Sequence, residues 1–353
     1  MLHNQQLRDR WLDKVWMALF GDSEGLVPPG QIRREGLDRE RVRAAELAAI
    51  TATERELAEL RRGRKVMGRG GQLVDAVAVG DVPMYSFIER PAVDGDAIFA
   101  RFTNPEHLLD SVISEAAHRD LERSLNIRRT ALLAEQEILA GYAFSALADT
   151  DISSQWLQRW RRLAQDVHHI ELQRLWARIL VREVAAPGRY SLATLDTLGT
   201  IGEHEIHGIL LLARYVFGEF IFDARGRYFQ AELHGIWLSS AANLGLLHPI
   251  DAPRHLNLHA QINEPSHPHD QQPLLLINHN RAIQLSAIKQ EGVPLPVLRL
   301  TAVGKQLFQI CGGDADMAYL FDLAAYLTER NVKVSLGEWQ PLRRHFEKKF
   351  DYS

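Results

Sequence analysis

Histidine residues are the side chains of this sequence with the clearest potential for metal chemistry, and their spacing argues against it. His204 and His207 are three residues apart in the segment His-Glu-Ile-His, one residue short of the HExxH spacing of zinc-binding helices. We interpret this segment as the exposed start of a helix. His168 and His169 are adjacent, so on a helix they would point in different directions. Neither pair therefore predicts a metal site.

The other candidates for chemistry are a histidine-rich loop, one cysteine and two carboxylates. The loop from His267 to Asp270 could bind a metal adventitiously, but it lacks a ligand set with proper spacing. Cys311 follows an apolar helix face, which favours a buried structural thiol. Glu171 and Glu183 are twelve residues apart on one helix, too far to act on one bond. Since the sequence also has no GxSxG segment and no phosphate-binding loop, we expect no catalytic residue, no cofactor, no native metal and no enzymatic activity.

The helices that would carry these residues are predicted most clearly between Trp156 and Thr200. Apolar residues at i, i+4, i+7 and i+11 from Trp156 form one helix face, with Ser153 and Ser154 as candidate N-caps. Pro187-Gly188 ends the next helix, and Ser191 caps a short third one. The second helix has a wide apolar stripe typical of deep burial, formed by Leu172, Leu175, Trp176, Ile179, Leu180 and Val184.

Composition restricts the class of protein further. The chain has 353 residues, 46% of them hydrophobic, and a net charge of −4, which gives no reason to expect non-specific nucleic-acid binding. The single cysteine excludes a disulfide framework within one chain and fits a reducing compartment. No apolar run approaches the roughly 20 residues that span a bilayer, and the first residues do not resemble a signal peptide. We therefore expect a cytoplasmic protein.

Residues 1–67 are predicted to form an amphipathic helix and a charged helical arm. The helix Trp11–Phe20 has an aromatic face, and its weakly basic polar face favours docking on protein over contact with a membrane surface. Residues 31–65 are rich in alanine, glutamate and arginine with a thin apolar line, which predicts an exposed helix or a coiled-coil arm that pairs with another chain. We therefore expect self-association or a protein partner through this arm. The basic cluster Arg61–Lys65 could touch phosphate but is more typical of a solvated helix C-terminus.

The rest of the chain is predicted to comprise a strand-containing insert or linker at 68–105, a helical core at 106–222 and an α+β domain at 223–353. In the last part a helix, a hairpin and a strand leading into a helix follow one another in the order of winged-helix folds. The helix that would read DNA has Asn243 and little positive charge, and Arg281 in the hairpin could meet a phosphate. Nucleic-acid binding is therefore an alternative that we do not favour.

The central block of the sequence has the order Q-x-L-W-A-R-I-L, E, P-G and S-L-x-T-L, after an arginine-rich helix and a tryptophan helix. Its residues are Gln173, Leu175, Trp176, Ala177, Arg178, Ile179, Leu180, Glu183, Pro187, Gly188, Ser191, Leu192, Thr194 and Leu195. This order resembles an uncharacterised bacterial family, the domain of unknown function 2806. More distantly, Leu175–Leu180, Leu244–Leu247 and Leu300–Cys311 are similar to the abortive-infection alpha family, which is associated with defence against phage.

Together these patterns predict a mainly α protein: a charged N-terminal arm, a helical core and a C-terminal winged-helix-like α+β domain. The expected function is that of a non-enzymatic interaction protein, with phage defence implied by the distant resemblance. The alternative is a regulator that binds nucleic acid through the C-terminal domain. Neither family supplies catalytic residues.

Overall fold

The chain divides into two compact units, Met1–Leu132 and Leu133–Ser353. The structure, a computed structural model, describes residues 10–12, 14–19, 39–62, 64–67, 73–75, 105–140, 150–223, 232–249, 255–258, 261–262, 271–286, 288, 291–340 and 345–352. The predicted division at residues 67, 105 and 222 stays a prediction. Most of the insert at 68–105 lies outside the described residues.

The charged arm forms a helix that packs against a second helix of the same chain. Helix α1 (Arg39–Arg61) leads to a short antiparallel pair, β1 (Lys65–Met67) and β2 (Leu73–Asp75), and α2 is Pro105–Leu139. Contacts of Glu54 with Arg129 and of Arg61 with Glu122 show that α1 and α2 are antiparallel. Ile50 and Leu57 of α1 share a buried cluster with Leu125 and Leu132 of α2, each pair seven residues apart.

Some of the apolar residues of α1 that were predicted to contact another chain are instead buried against α2. Leu47 remains 48% exposed on α1. Pairing of the arm with a second chain therefore stays a prediction, since Ile50 and Leu57 already have partners within the first unit.

The amphipathic N-terminal segment, helical at 10–12 and 14–19, buries its apolar face within the protein. Met17 is the exposed large apolar residue of the segment. The side chains that a membrane surface would have to receive are therefore already covered. The buried residues are Trp11, Leu12, Val15, Trp16 and Leu19, while Phe20 lies outside the described residues.

Four helices form the first part of the second unit, and their apolar faces follow the predicted periodicity. They are α3 (Ser154–Ala164), α4 (Ile170–Ala185), α5 (Leu192–Thr200) and α6 (Glu203–Ala213). Ser191 caps α5 as predicted, because its Oγ accepts the Thr194 N–H at 3.2 Å. Ser153 occupies the N-cap position of α3 but its side chain makes no capping bond. Gly188, after the end of α4, has φ +86°, a conformation that favours glycine.

Three tryptophans fill the interior of these helices. The Trp160 Nε1–H donates to the Trp176 carbonyl at 3.0 Å, and the two rings meet edge to face with centroids 6.3 Å apart. The Trp156 Nε1–H donates to the Tyr190 carbonyl at 2.9 Å. The three tryptophans and Tyr190 are buried, and burial of each side chain contributes about 2–3 kcal/mol of transfer free energy. The central block is a packed interior.

The remaining chain builds two four-stranded antiparallel sheets with three further helices. The first sheet has the order β3-β4-β10-β5 and the second β12-β11-β9-β8. A small pair, β6–β7, stands apart from them. The strands are β3 (Val216–Phe217), β4 (Phe220–Phe222), β5 (His255–Leu258), β6 (Gln261–Ile262), β7 (Gln271–Gln272), β8 (Leu274–Asn278), β9 (Arg281–Ser286), β10 (Val293–Arg299), β11 (Lys333–Gln340) and β12 (His345–Tyr352). The helices are α7 (Glu232–Asn243), α8 (Ala302–Ile310) and α9 (Met317–Thr328).

The predicted fold class, mainly α with a helical core and a winged-helix-like domain, is wrong, because the two sheets make the protein mixed α+β. One cause lies in the segment 214–222, the end of the region that was predicted to be a helical core. Gly218 has φ +52° and lies between β3 and β4, so the chain turns back there as a hairpin. The aromatic and β-branched residues around it suit a strand as well as a buried helix.

Helix α9 packs against both sheets and fixes their relation within the second unit. The Tyr319 hydroxyl accepts the Phe222 N–H at 2.6 Å and lies 3.1 Å from the carbonyls of Tyr215 and Phe222, at the first sheet. On the second sheet, Val334 and Leu336 of β11, next to α9, are buried. The helix is therefore shared by the two sheets, and it positions the surface described next.

Candidate interaction surface

Three aromatic side chains meet at the exposed end of the second sheet, and we call them the aromatic cluster. Phe321 lies on α9, and Phe350 and Tyr352 lie on β12. The Phe321 ring centroid is 6.1 Å from that of Phe350 and 6.1 Å from that of Tyr352. Phe321 is 36% exposed and Phe350 is 43% exposed, so rings that contact one another also remain open to water. Exposed apolar groups in contact mark surfaces that bind other molecules more often than isolated ones do.

Strand register explains why these rings lie on one side of the sheet. Tyr352 pairs with Val334 and Phe350 pairs with Leu336, and paired residues point to the same face. Val334 and Leu336 are buried in the strand next to the edge, whereas β12 is the edge strand itself. The apolar face of the sheet therefore continues from β11, where α9 covers it, onto the edge strand β12, where it is partly exposed.

A β-bulge interrupts the pairing of β11 and β12. The register shifts between Leu336 and Gly337, so that Lys349 has no residue opposite it. Gly337 is required there because a β-carbon would clash with the Glu347 carbonyl and lie 2.7 Å from the Phe346 ring. The bulge bends the edge strand in its middle.

The other face of the same strands carries a groove of about 460 Å³, which we call the polar groove. Register places Ser335 between Asp351 and Gln284, and Lys333 opposite Ser286. The volume lies in the range of small-ligand sites, about 300–1,000 Å³. Its lining residues are Pro273, Gln284, Ser286, Lys333, Val334, Ser335, Lys348, Asp351 and Tyr352, the last of which also belongs to the aromatic cluster.

Ion pairs neutralise most of the charge on these strands. Asp351 accepts hydrogen bonds from Lys348 Nζ at 2.6 Å and from Ser335 Oγ at 2.5 Å, and these bonds hold its pKa below the ordinary value. Lys349 Nζ lies 2.7 Å from Glu347, which lowers the pKa of Glu347 and raises the pKa of Lys349. These groups remain charged near neutral pH.

A third ion pair on the second sheet leaves one lysine without a carboxylate partner among the described residues. Arg281 lies 3.0 Å from Glu338, so the arginine that the sequence offered for a phosphate contact is paired with a carboxylate. Lys333 is exposed and makes no ion pair with a described residue. The described residues of this sheet therefore carry one surplus positive charge, and it lies in the polar groove.

The histidines considered for chemistry lie in two places: His204 and His207 are on α6, whereas His168 and His169 lie in the connection before α4 and not on a helix. His204 and His207 are exposed on α6, and His207 Nδ1 lies 3.1 Å from the Glu203 carbonyl. Glu205 accepts the Gly202 N–H at 3.0 Å and so caps the start of α6. The rings of His169 and His207 have centroids 6.0 Å apart, a proximity that the sequence did not indicate. The segment His267–Asp270 lies outside the described residues.

The carboxylates and the cysteine are placed separately. Glu171 pairs with Arg174 at 2.8 Å, whereas Glu183 is buried and accepts the N–H groups of Gly188 at 2.6 Å and Tyr190 at 2.9 Å. Glu183 thereby holds the turn after α4, a role that was not predicted from the sequence. Burial raises the pKa of the Cys311 thiol to about 12, so it is unreactive at neutral pH.

The basic residues at the end of α1 have acidic neighbours. Arg61 contacts Glu122, and Arg62 and Arg64 both contact Glu59, at 3.2 and 3.4 Å. This arrangement satisfies the charges without phosphate. Asn243, which was considered for base contacts, is exposed at the end of α7.

Among the described residues, no group of three or more His, Cys, Asp or Glu side chains could hold a metal ion. Within the same residues, no helix combines the length and the apolar character that crossing a membrane requires.

Strand β12, and with it the candidate surface, was not predicted from the sequence. Phe350 and Tyr352 are two residues apart, the spacing of one strand face, but a single such pair is a weak signal. Phe346 has the same parity, but it pairs with Trp339 on the other side of the bulge at Lys349 and therefore lies on the opposite face from Phe350, which pairs with Leu336.

Comparison with known proteins supports one of the two predicted resemblances. Residues 122–213 match the model of a family described as "Protein of unknown function (DUF2806)", which confirms the resemblance in the central block. The match runs from α2 to the end of α6 and does not include the candidate surface. The similarity to the abortive-infection alpha family is not supported. No curated protein and no solved structure matches the chain.

Proposed function

We propose that this protein is a non-enzymatic interaction protein that binds a partner polypeptide through the aromatic cluster and the neighbouring edge of the second sheet. The supporting observation is the contact of Phe321, Phe350 and Tyr352 at an exposed strand edge. Aromatic side chains dominate the energy of protein interfaces because they bury a large area at a small cost in conformational entropy. The apolar contact residues of the partner would cover this cluster.

A polypeptide fits this surface better than a nucleic acid. Nucleic acid was the alternative because the C-terminal elements follow the order of winged-helix folds, and exposed aromatic rings can also stack on bases. A phosphate backbone, however, needs several unpaired cations, and here Arg281, Lys348 and Lys349 each have a carboxylate partner. A role in phage defence rests on the sequence resemblance alone and stays a prediction.

The proposal is tested by selecting peptides from a displayed random library against the full chain and measuring the affinity of the synthesised peptides. Phe350→Ser is expected to weaken these peptides about tenfold or more, because the ring would be a central contact. The matched control is Ile236→Ser on α7, which removes an apolar side chain that is 60% exposed outside the cluster. It is expected to leave the affinity unchanged.

Two outcomes would contradict the proposal. If Phe350→Ser and Ile236→Ser have equal effects, the cluster is not a binding surface. If a labelled single-stranded DNA binds at low salt and Phe350→Ser abolishes that binding, the surface recognises nucleic acid. Unfolding of both variants in urea should show a midpoint like that of the unaltered chain, which establishes that the loss is one of contact.

A further inference from the structure

We propose that His169 and His207 together bind a divalent transition-metal ion of the Zn²⁺ class, which links the start of α4 to α6. The inference goes beyond the proposed function, because the aromatic cluster lies on α9 and β12. It derives from the approach of the two imidazole rings, whose centroids are 6.0 Å apart. The two side chains come from separate elements, so the fold brings together a pair that the spacing of histidines in the sequence does not reveal.

The hydrogen bond of His207 leaves one of its ring nitrogens able to bind a metal. The Nδ1 atom lies 3.1 Å from the Glu203 carbonyl. Because a carbonyl oxygen can only accept, Nδ1 carries the hydrogen of this bond, and Nε2 of the neutral ring keeps a lone pair. Metal-binding histidines usually donate their second N–H to an acceptor of this kind, which orients the ring. His207 is exposed, so an ion can reach it from solution.

His169 supplies a nitrogen that lacks a hydrogen bond. Its Nδ1 atom is buried and has no partner among the described residues, although the residue as a whole is partly exposed. A buried polar atom without a partner is unfavourable, and coordination of an ion would satisfy it. Within the described part of the chain, the His169 side chain also makes no capping bond at the start of α4. The ring is therefore available as a ligand without loss of a helix cap.

The spacing of the rings suits one shared ion. In a tetrahedral site with Zn–N bonds of about 2.0–2.1 Å, the centroids of two imidazole ligands lie about 5 Å apart. The observed separation is 6.0 Å, so the exposed His207 ring needs to move by about 1 Å. A side chain at the surface can make a movement of that size without repacking of the interior.

The ligand set identifies the class of metal and the strength of binding. Imidazole suits Zn²⁺, Cu²⁺ and Ni²⁺, whereas Ca²⁺ and Mg²⁺ require oxygen ligands. The described residues offer no group of three or more His, Cys, Asp or Glu ligands, so water would complete the coordination and binding is weaker than in a four-ligand site. The helix N-termini disfavour a cation, and the first-turn carboxylates of Glu171, Glu203 and Glu205 offset this effect.

The experiment titrates Zn²⁺ into the full chain without an affinity tag, in a buffer that does not chelate metals. NMR of the imidazole nitrogens should show the signals of His169 and His207 shifting together. The midpoint of urea unfolding should rise with Zn²⁺, because an ion that binds only the folded state stabilises it. His169→Gln and His207→Gln should each weaken binding about tenfold or more, because the second imidazole of a bidentate site binds intramolecularly.

Two control variants test whether the effect is specific to this pair. His204→Gln removes an exposed histidine of the same helix and should leave the affinity for Zn²⁺ unchanged. A double variant, His267→Gln with His269→Gln, removes the loop histidines that the sequence suggested for adventitious binding, and should also preserve the site. Without Zn²⁺, each variant should unfold at the same urea concentration as the unaltered chain, which shows that a loss of binding is not a loss of folding.

The outcomes decide the inference without affecting the aromatic surface, whose test does not involve metal. Loss of Zn²⁺ binding with His169→Gln and with His207→Gln, but not with His204→Gln, supports the shared site. Equal affinity of the unaltered chain and His207→Gln overturns it. Binding that disappears only in the His267 and His269 double variant also overturns it, because the ion would then be adventitious.

Discussion

The helical part and the second sheet of the same unit treat similar residue types in opposite ways. In α3 and α4, tryptophans and an acidic residue are buried, and the Trp160 indole and the Glu183 carboxylate bond to backbone groups. In β12, phenylalanine and aspartate face water, and Asp351 bonds to neighbouring side chains. An aromatic or a carboxylate in this protein therefore has a structural role in the first region and is open to an external partner in the second.

The family match adds to this contrast. Residues 122–213 contain the buried tryptophans and Glu183, whereas the aromatic cluster and the polar groove lie beyond them. The matched block explains its own residue types through packing and hydrogen bonds. The exposed rings of the candidate surface have no such internal explanation, and contact with another molecule is the explanation that we propose.

The largest expected effect compares one aromatic residue from each region. Trp160→Ala should lower the free energy of unfolding by about 3–5 kcal/mol, because it removes a fully buried ring and its hydrogen bond to Trp176. Phe350→Ala should lower it by less than about 1 kcal/mol, because that ring is exposed. Urea unfolding monitored by circular dichroism measures both. Trp160→Phe provides an intermediate variant should the alanine variant be largely unfolded.

Similar losses of unfolding free energy for Trp160→Ala and Phe350→Ala would contradict the proposed difference between the helical region and β12. In that case the aromatic cluster would be part of the core, and its exposed rings would need a structural explanation.

The second prediction compares one acidic residue from each region. Glu183→Ala should lower the free energy of unfolding by about 2–4 kcal/mol, because it leaves the N–H groups of Gly188 and Tyr190 buried without an acceptor. Asp351→Ala should leave the midpoint of urea unfolding unchanged, because its partners Ser335 and Lys348 can bond to water. A shift of the midpoint by Asp351→Ala as large as that by Glu183→Ala would contradict the assignment.

The smallest expected effect is the pH dependence that Glu183 contributes. Burial raises the pKa of Glu183 above its ordinary value of 4.5, although the N–H groups of Gly188 and Tyr190 act in the opposite direction. A raised carboxyl pKa means that the folded state binds the proton more tightly than the unfolded state. The resulting stabilisation is complete below about pH 4.5 and is lost as the pH rises through the folded-state pKa.

This prediction is measured as a difference between two proteins. The stability of the unaltered chain relative to Glu183→Gln, from urea unfolding at several pH values, should fall as the pH rises from 4 towards neutrality. The variant has no titrating group at this position, so the contributions of the other carboxylates cancel in the stability difference. A difference that grows with pH would show that the N–H groups outweigh burial.

The helices were predictable from sequence because each of their apolar faces is set by residues close in the chain. Trp156 and Trp160 lie one turn apart, and Ser191 forms its capping bond with a residue three positions away. The hairpin of β8 and β9 was likewise indicated by alternation over a short segment. Such local patterns are sufficient to identify single elements.

The sheets and the candidate surface were less predictable because they depend on pairing between distant residues. Strand β4 pairs with β10, so Phe222 lies beside Val297, and nothing in either segment indicates the other. The role of Glu183 depends on a turn whose N–H groups need an acceptor, which composition does not reveal. The surplus charge of Lys333 could be recognised only after the ion pairs of Arg281, Lys348 and Lys349 were known.

The irregular pairing at Gly337 has a consequence for how the protein behaves at high concentration. An edge strand with exposed phenylalanines is a template on which further copies can add in register and form fibres. The displaced Lys349 and the bend around Gly337 break that template in the middle of β12. This arrangement leaves aromatic side chains exposed on β12 while it disfavours the in-register addition of further copies along that edge.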